Sequence, residues 1–275
     1  MRRWGKRLLA AGLLLLLLFW GNYSLQTQVV RVGLADLPPE FNGLRIALLA
    51  DLHGRQFGRE NEVLLRAVRN AAPDLIFLCG DLFDENTDLS MLPPLLRALA
   101  AIAPTYYVTG NHEWQVPSLH TVLSEMQTCG VRVLRNEYAV LTRGSAQLVI
   151  AGIDDPCGPY DQKTPEALVS EIRADCGEDC CILLLAHRND FLAQWAALGV
   201  SLAFCGHCHG GMVRLPLIGG LFGPGSELFP AYDAGLYRQA GSAMFVSRGL
   251  GYSRVRVRVL NRPHLPVLTL YNEES

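Results

Sequence analysis

The residues able to bind metal or move protons fall at five places, each where an apolar run ends. Asp51-Leu52-His53-Gly54 follows the run 44–50, and Gly80-Asp81 follows 74–79. Gly110-Asn111-His112-Glu113 follows 105–109, and His187 follows 181–186. Gly206-His207-Cys208-His209-Gly210-Gly211 closes the series after 201–205. Asp, Asn and His offer oxygen and imidazole donors without a thiolate, a mixture suited to Mn, Fe, Zn or similar divalent ions. In Asp51-x-His53 and His207-x-His209, alternate side chains of an extended strand end can converge, and a carboxylate such as Asp81 can bridge two ions. The donors Asp51, His53, Asp81, Asn111, His187, His207 and His209 outnumber the four that one tetrahedral zinc needs. Two ions about 3.5–4 Å apart can clamp an in-line displacement at phosphorus.

Taken singly, each residue has an ordinary reading. Asp51 would cap a helix, Gly110-Asn111 would make a turn, and His187 would be a hydrogen-bonded core histidine. The series weighs more than its members. His53, His112, His187, His207 and His209 all stand at such exits, while His120 and His264 do not and read as structural.

The elements that must position these groups follow from the same runs. Short, nearly unbroken apolar segments read as strands buried on both faces. Strands are expected at 44–50, 74–79, 105–109, 181–186 and 201–205, with a hairpin of 138–142 and 147–153 around Arg143-Gly144-Ser145. Helical spacing covers 59–71, 93–101, 119–129, 164–174 and 191–198. Beyond residue 230 strands dominate, at 241–247, 254–260 and 267–270. Such alternation with a strand-rich tail predicts an α/β fold of mixed sheets packed together with helices outside. Sites in α/β sheets form at the carboxyl ends of strands. No linker is long enough to divide the body.

A chain of 275 residues, half of them hydrophobic and 18% charged, is neither disordered nor low in complexity. Arg2, Arg3, Lys6 and Arg7 precede an apolar run over 8–20, and Trp20 and Tyr23 stand like interface aromatics. A basic start and an apolar run resemble a secretory signal or signal anchor. The expected organisation is a segment 1–25, retained as a membrane anchor with the body 26–275 on the extracytoplasmic side. A cleaved signal with a secreted body is the alternative. Without the basic leader, 20 basic and 26 acidic residues give the body a net charge of −6, so no nucleic-acid partner is expected. Cys79 and Cys205 read as core residues. Cys157, Cys176, Cys180 and Cys181 are read as disulfides of an exported body, free thiols or, by a weak spacing signal, a zinc site.

The series D-x-H, G-D, G-N-H-E, H and G-H-x-H resembles the calcineurin-like metallophosphoesterase superfamily from Arg45 to Gly211. The segments Phe41-Asn42-Gly43-Leu44-Arg45-Ile46 and Val246-Ser247-Arg248-Gly249-Leu250-Gly251 look like its bacterial membrane-associated branch, which includes phosphodiesterase-like proteins and enzymes resembling UDP-diacylglucosamine pyrophosphatases. The resemblance implies a four-layer α/β sandwich, two mixed β-sheets flanked by helices. It implies one ion held by Asp51, His53, Asp81 and His209, and another by Asp81, Asn111, His187 and His207, with Asp81 bridging. It places His112 beside the ions, near the leaving group. Cys208 stands where that branch commonly has Thr, and Ala50 where it has Ser, which leaves open a thiol near the metals.

The expected reaction is hydrolysis of a phosphodiester, phosphomonoester or pyrophosphate by a hydroxide bridging two divalent ions. His112 would protonate the leaving oxygen. Arg248, by its charge and glycine setting, is a candidate phosphate clamp, with a surface arginine as the plain alternative. Residues 212–229, rich in Leu, Ile, Phe, Gly and Pro, could form a greasy rim, which adds a lipid phosphate or nucleotide-lipid to the expected substrates. Two other classes compete: a non-catalytic metal-binding scaffold, and a redox or structural zinc protein built on the four clustered cysteines.

Overall fold

The computed structural model describes residues 2–252 and 257–273. Helix α1 (Arg2–Tyr23) leads into β1 (Gln26–Leu34). The first β-α series follows: β2 (Arg45–Leu49), α2 (Glu62–Ala71), β3 (Leu75–Cys79), α3 (Leu92–Ala100), β4 (Thr105–Val108), α4 (Leu119–Thr128) and β5 (Val131–Val133). The hairpin β6 (Glu137–Arg143) and β7 (Ala146–Gly152) opens the second half. Then come α5 (Pro165–Cys176), β8 (Ile182–Leu185), α6 (Leu192–Ala197) and β9 (Leu202–Cys205). Two short strands, β10 (Arg214–Leu215) and β11 (Gly219–Gly220), precede β12 (Gly235–Gln239), β13 (Ser242–Val246) and β14 (His264–Asn272).

Two six-stranded sheets result, ordered β1-β14-β2-β3-β4-β5 and β12-β13-β9-β8-β7-β6. Each is parallel in its middle and antiparallel where β14 meets β2, β12 meets β13 and β6 meets β7. The period-two alternation of strands sorts their side chains. Ile46, Leu48 and Ala50 face the space between the sheets, whereas Ala47 and Leu49 face α2, α3 and α4. Phe77 and Phe204 meet edge to face across that space, their ring centroids 4.8 Å apart. A third cluster joins the second sheet to α5 and α6. The layers are therefore helix, sheet, sheet, helix, as the apolar runs and the family resemblance imply.

Differences from the expected elements have local causes. Glu60 and Asn61 take left-handed conformations, so the helix expected from residue 59 starts at Glu62. β1 escapes an apolar-run search because Gln26, Thr27, Gln28 and Arg31 interrupt it. Its nine residues pair with β14 in parallel at the sheet edge. Within the strand expected at 254–260, residues 254–256 lie outside the described ones, and beyond them Val259 makes only an isolated bridge to Val213. All eight cysteines are free thiols. Cys181 belongs to the intersheet core, Cys176 and Cys180 pack on the outer cluster of the second sheet, and Cys157 is exposed.

The foot of α1 is built into the body. Gly21 and Asn22 are buried. Asn22 Nδ2 donates to the Arg258 carbonyl at 2.9 Å, and Arg258 N donates back to Asn22 Oδ1 at 2.8 Å. Arg258 is fully buried; its guanidinium donates to the carbonyls of Gly251 at 2.7 and 2.9 Å and of Arg248 at 2.9 Å. Arg55 donates to the Asn22 carbonyl and stacks on Tyr252, while Arg262 stacks on Trp20 and donates to Ser24. Removing the Arg258 fork strands two buried carbonyl groups. Arg258→Ala should therefore cost about 3 kcal/mol, read as a lower denaturant midpoint of the full chain; an unchanged midpoint contradicts the role.

Candidate metal centre

Because both sheets run their central strands in one direction, the carboxyl ends of β2, β3, β4, β8 and β9 share one edge of the sandwich. The chain continues the parallel pairing past the strand ends. Asp51 N donates to the Gly80 carbonyl at 3.0 Å and His53 N to the Asp81 carbonyl at 3.0 Å. Asp51, His53, Asp81, His207 and His209 all have φ between 47° and 68°. That region is unfavourable for residues with a Cβ and recurs at functional sites. Gly80 is required beside them: at φ 75°, its Cβ would lie 2.6 Å from His187 Nδ1 and from Gly110 N.

Asp51, His53, Asp81 and His209 place one donor atom each within 4.8 Å of one another, and so do Asp81, His187 and His207. Asp81 belongs to both groups. Its Oδ2 lies 3.1 Å from His187 Nε2 and 3.7 Å from His53 Nε2, and its Oδ1 accepts from His112 N at 2.9 Å. His53 Nε2 and His209 Nε2 face each other at 3.3 Å, as do His187 Nε2 and His207 Nδ1 at 3.1 Å. Asn111 joins the second group along a shared cavity wall with Asp81 and His207. Asp51 Oδ2, Asn111 Oδ1 and His209 Nδ1 are buried without a hydrogen-bond partner among the described residues. Such orphaned atoms are costly unless something satisfies them. Converging carboxylates and imidazoles with unused lone pairs fit a divalent cation.

The electrostatics agree with a cation site. Burial raises the Asp51 carboxyl to about 6, and the neighbouring Asp81 charge adds to that push. Burial also acts on Asp81, but the imidazoles of His187, His53 and His112 outweigh it and hold this carboxyl well below its ordinary range. Burial would lower His187; the Asp81 carboxylate overcomes that and raises it. Burial, with His187 alongside, pushes His207 down to about 3, and burial with His53 alongside pushes His209 well down. Those two rings are neutral, the form in which imidazole binds metal.

Supporting groups complete the frame. His187 Nδ1 donates to the Cys79 carbonyl at 2.9 Å, which turns Nε2 inward as the atom that would bind a metal once deprotonated. His53 Nδ1 lies 3.4 Å from Asp84 Oδ2, a second contact of that kind. The buried Glu113 accepts from Asp81 N, Leu82 N and Gly110 N at 2.9, 2.7 and 2.9 Å. It clamps the two loops that carry Asp81 and Asn111. Glu113 stands within the motif Gly110-Asn111-His112-Glu113, but only its charge at a buried loop hinted at this work.

His112 lines both cavities that open at the centre. Arg248 lines neither. Its Nη2 donates to Gln26 Oε1 at 2.8 Å, and its stem packs where a Gly210 Cβ would fall. In this geometry the guanidinium is engaged at the β1 edge. Cys208 is buried in the core under α5 and α6, so its thiol is turned from the donors. His264 Nε2 donates to Gln28 Oε1 at 2.9 Å, in keeping with a structural place.

Comparison with known proteins matches the site to a family. Residues 44–211 fit the family model of the calcineurin-like phosphoesterases. The chain is 30% identical to the phosphodiesterase YaeI of Escherichia coli, over 88% of each chain. It is 29% identical to the uncharacterized metallophosphoesterase YkuE of Bacillus subtilis, over 90% of this chain and 86% of that one. A transmembrane protein with a metallophosphoesterase domain from Bos taurus is 29% identical over 88% of this chain and 56% of its own length. With its match spanning every proposed donor, the chain belongs to the calcineurin-like phosphoesterase family and is a metal-dependent phosphoesterase.

Proposed function

We propose that the protein hydrolyses a phosphate ester at a two-ion centre, with Asp51, His53, Asp81 and His209 on one ion, Asp81, Asn111, His187 and His207 on the other, and Asp81 between them. The observation that carries this reading is the pair of donor groups sharing one buried carboxylate. When bound, two divalent ions acidify a water near neutral pH and offset the charge on the phosphoryl oxygens. The chain's own residues do the rest. Glu113 and Gly80 hold the Asp81 and Asn111 loops at their spacing. His112, whose backbone is pinned to Asp81 and whose ring stands against His53 at 4.9 Å, gives a proton to the leaving oxygen.

We read α1 as a retained membrane anchor, its basic end cytoplasmic and the body outside. The helix has 22 residues, about 33 Å long at 1.5 Å per residue, enough to cross a bilayer. Most of its described apolar side chains are exposed, and positive residues cluster at its start. Burial of Gly21 and Asn22 against Arg258 supports retention over cleavage.

The full chain in detergent, stripped of metal and resupplied with manganese, should hydrolyse bis-p-nitrophenyl phosphate. Asp81→Ala should lose bound metal and turnover together. His112→Ala should keep its metal and lose roughly 10²–10⁴-fold in kcat. Folded protein that binds no metal would remove the site assignment; metal bound without any turnover would favour a scaffold.

Protons must compete with the metal. Asp51, raised to about 6, and His187, raised above its ordinary value, each release a proton when they bind a cation. Affinity therefore rises with pH. Calorimetry should show manganese binding weaker at about pH 5.5 than at about pH 7.5 by roughly tenfold or more. The heat at the higher pH should vary with the buffer's own ionisation enthalpy. Equal affinity at both values would count against these ligands.

A further inference from the structure

The donors lie between two cavities of opposite character. One, about 440 Å³, is walled on the side away from the donors by Met212, Val213, Phe222 and Pro224. The other, about 570 Å³, is lined by the carboxylates of Asp84, Glu85 and Asp88 together with Gln115, Arg55 and Tyr252, three acids against one arginine. Asn111 and His112 line both. A phosphoryl group held at the donors would thus extend one substituent into an apolar groove and another into an acid-lined chamber. A monoester would fill only one of them. A second phosphate, as in a pyrophosphate, would face the three carboxylates, and the Arg55 guanidinium is already engaged by the carbonyls of Leu250 and Asn22.

The apolar groove is tied to the foot of α1. Arg258 bonds Asn22, and the next residue, Val259, exchanges hydrogen bonds with Met212 and Arg214 at 3.2 and 3.0 Å. Met212 begins the segment that walls the groove. Beyond it Leu217, Ile218, Leu228 and Phe229 project into solvent. Phe222 pairs with Leu228 across a narrow ribbon. An exposed apolar rim joined to a membrane-crossing helix belongs at the bilayer interface.

We infer that the substrate is a membrane-resident phosphodiester whose apolar chain lies along the groove of Met212, Val213, Phe222 and Pro224 and whose hydroxyl- or amine-bearing headgroup fills the acid-lined chamber. This rests on the phosphoester-hydrolase reading above. Water's oxygen forms the new bond to phosphorus, one ester P–O bond breaks, and the leaving oxygen takes a proton. The products are a phosphomonoester and an alcohol.

The test uses the full chain with manganese in mixed micelles. Phosphatidylethanolamine and phosphatidylglycerol supply amine and hydroxyl headgroups, phosphatidic acid is the lipid monoester, and bis-p-nitrophenyl phosphate is the soluble diester. The lipid diesters should turn over and phosphatidic acid should not. Phe222→Ser should lower the ratio of lipid to soluble-diester turnover on the order of tenfold. A second readout needs no metal: phosphatidylethanolamine with a photoactivatable acyl chain should label residues 212–229 as well as α1. Turnover of the soluble diester alone, preference for phosphatidic acid, an unchanged ratio in Phe222→Ser, or label confined to α1 overturns the inference and leaves the phosphoesterase standing. Loss of every activity in metal-loaded protein overturns both.

Discussion

One carboxylate carries the site. Asp81 sits at the end of β3 in the first sheet, and its Oδ2 touches His187, which follows β8 in the second. Its Oδ1 takes the amide of His112, its carbonyl takes the amide of His53, and its own amide is held by Glu113. A buried charge without compensation is expensive, and partners arriving from both sheets compensate it. The two sheets must therefore keep their spacing for the centre to exist. The Phe77–Phe204 contact and the alternation that sends Ile46 and Leu48 inward serve that spacing.

The frame also absorbs strain. Five donor residues hold left-handed backbone conformations, each costing on the order of 1–3 kcal/mol. Strain is distributed to groups that give up freedom elsewhere: Glu113 with three amide donors, Gly80 where no Cβ fits, and the pairing that runs past the ends of β2 and β3. Orphaned Asp51 Oδ2 and His209 Nδ1 add a further cost. Metal-free protein is thus preorganised against its own stability, which is the arrangement a tight cation site needs.

Much of this was legible from residue order alone, for a physical reason. A strand buried on both faces must be apolar throughout, so its end is visible, and polar groups placed there are conspicuous. That logic finds β2, β3, β4, β8 and β9 and the donors after each. It fails where partners are remote in sequence. Asp84 and Glu113 act on backbone and rings brought close only by folding. Asn22 and Arg258 are 236 positions apart. Arg258 stands in an alternation of Arg and Val that reads as a strand edge, yet its side chain is among the largest fully buried ones. Arg248 shows the same remoteness: its charge and glycine setting are visible in the sequence, whereas its bond to Gln26, 222 positions away, is not.

Only Ser24 and Leu25 separate the end of α1 from the start of β1, and both are held by Arg262. There is no tether to pay out. With α1 seated in a bilayer, the donors keep a set altitude and tilt above it. For the membrane-resident substrate proposed above, such an enzyme would search in two dimensions: its encounter rate would follow the surface density of substrate rather than its bulk concentration, and molecules in a facing membrane would stay beyond its reach.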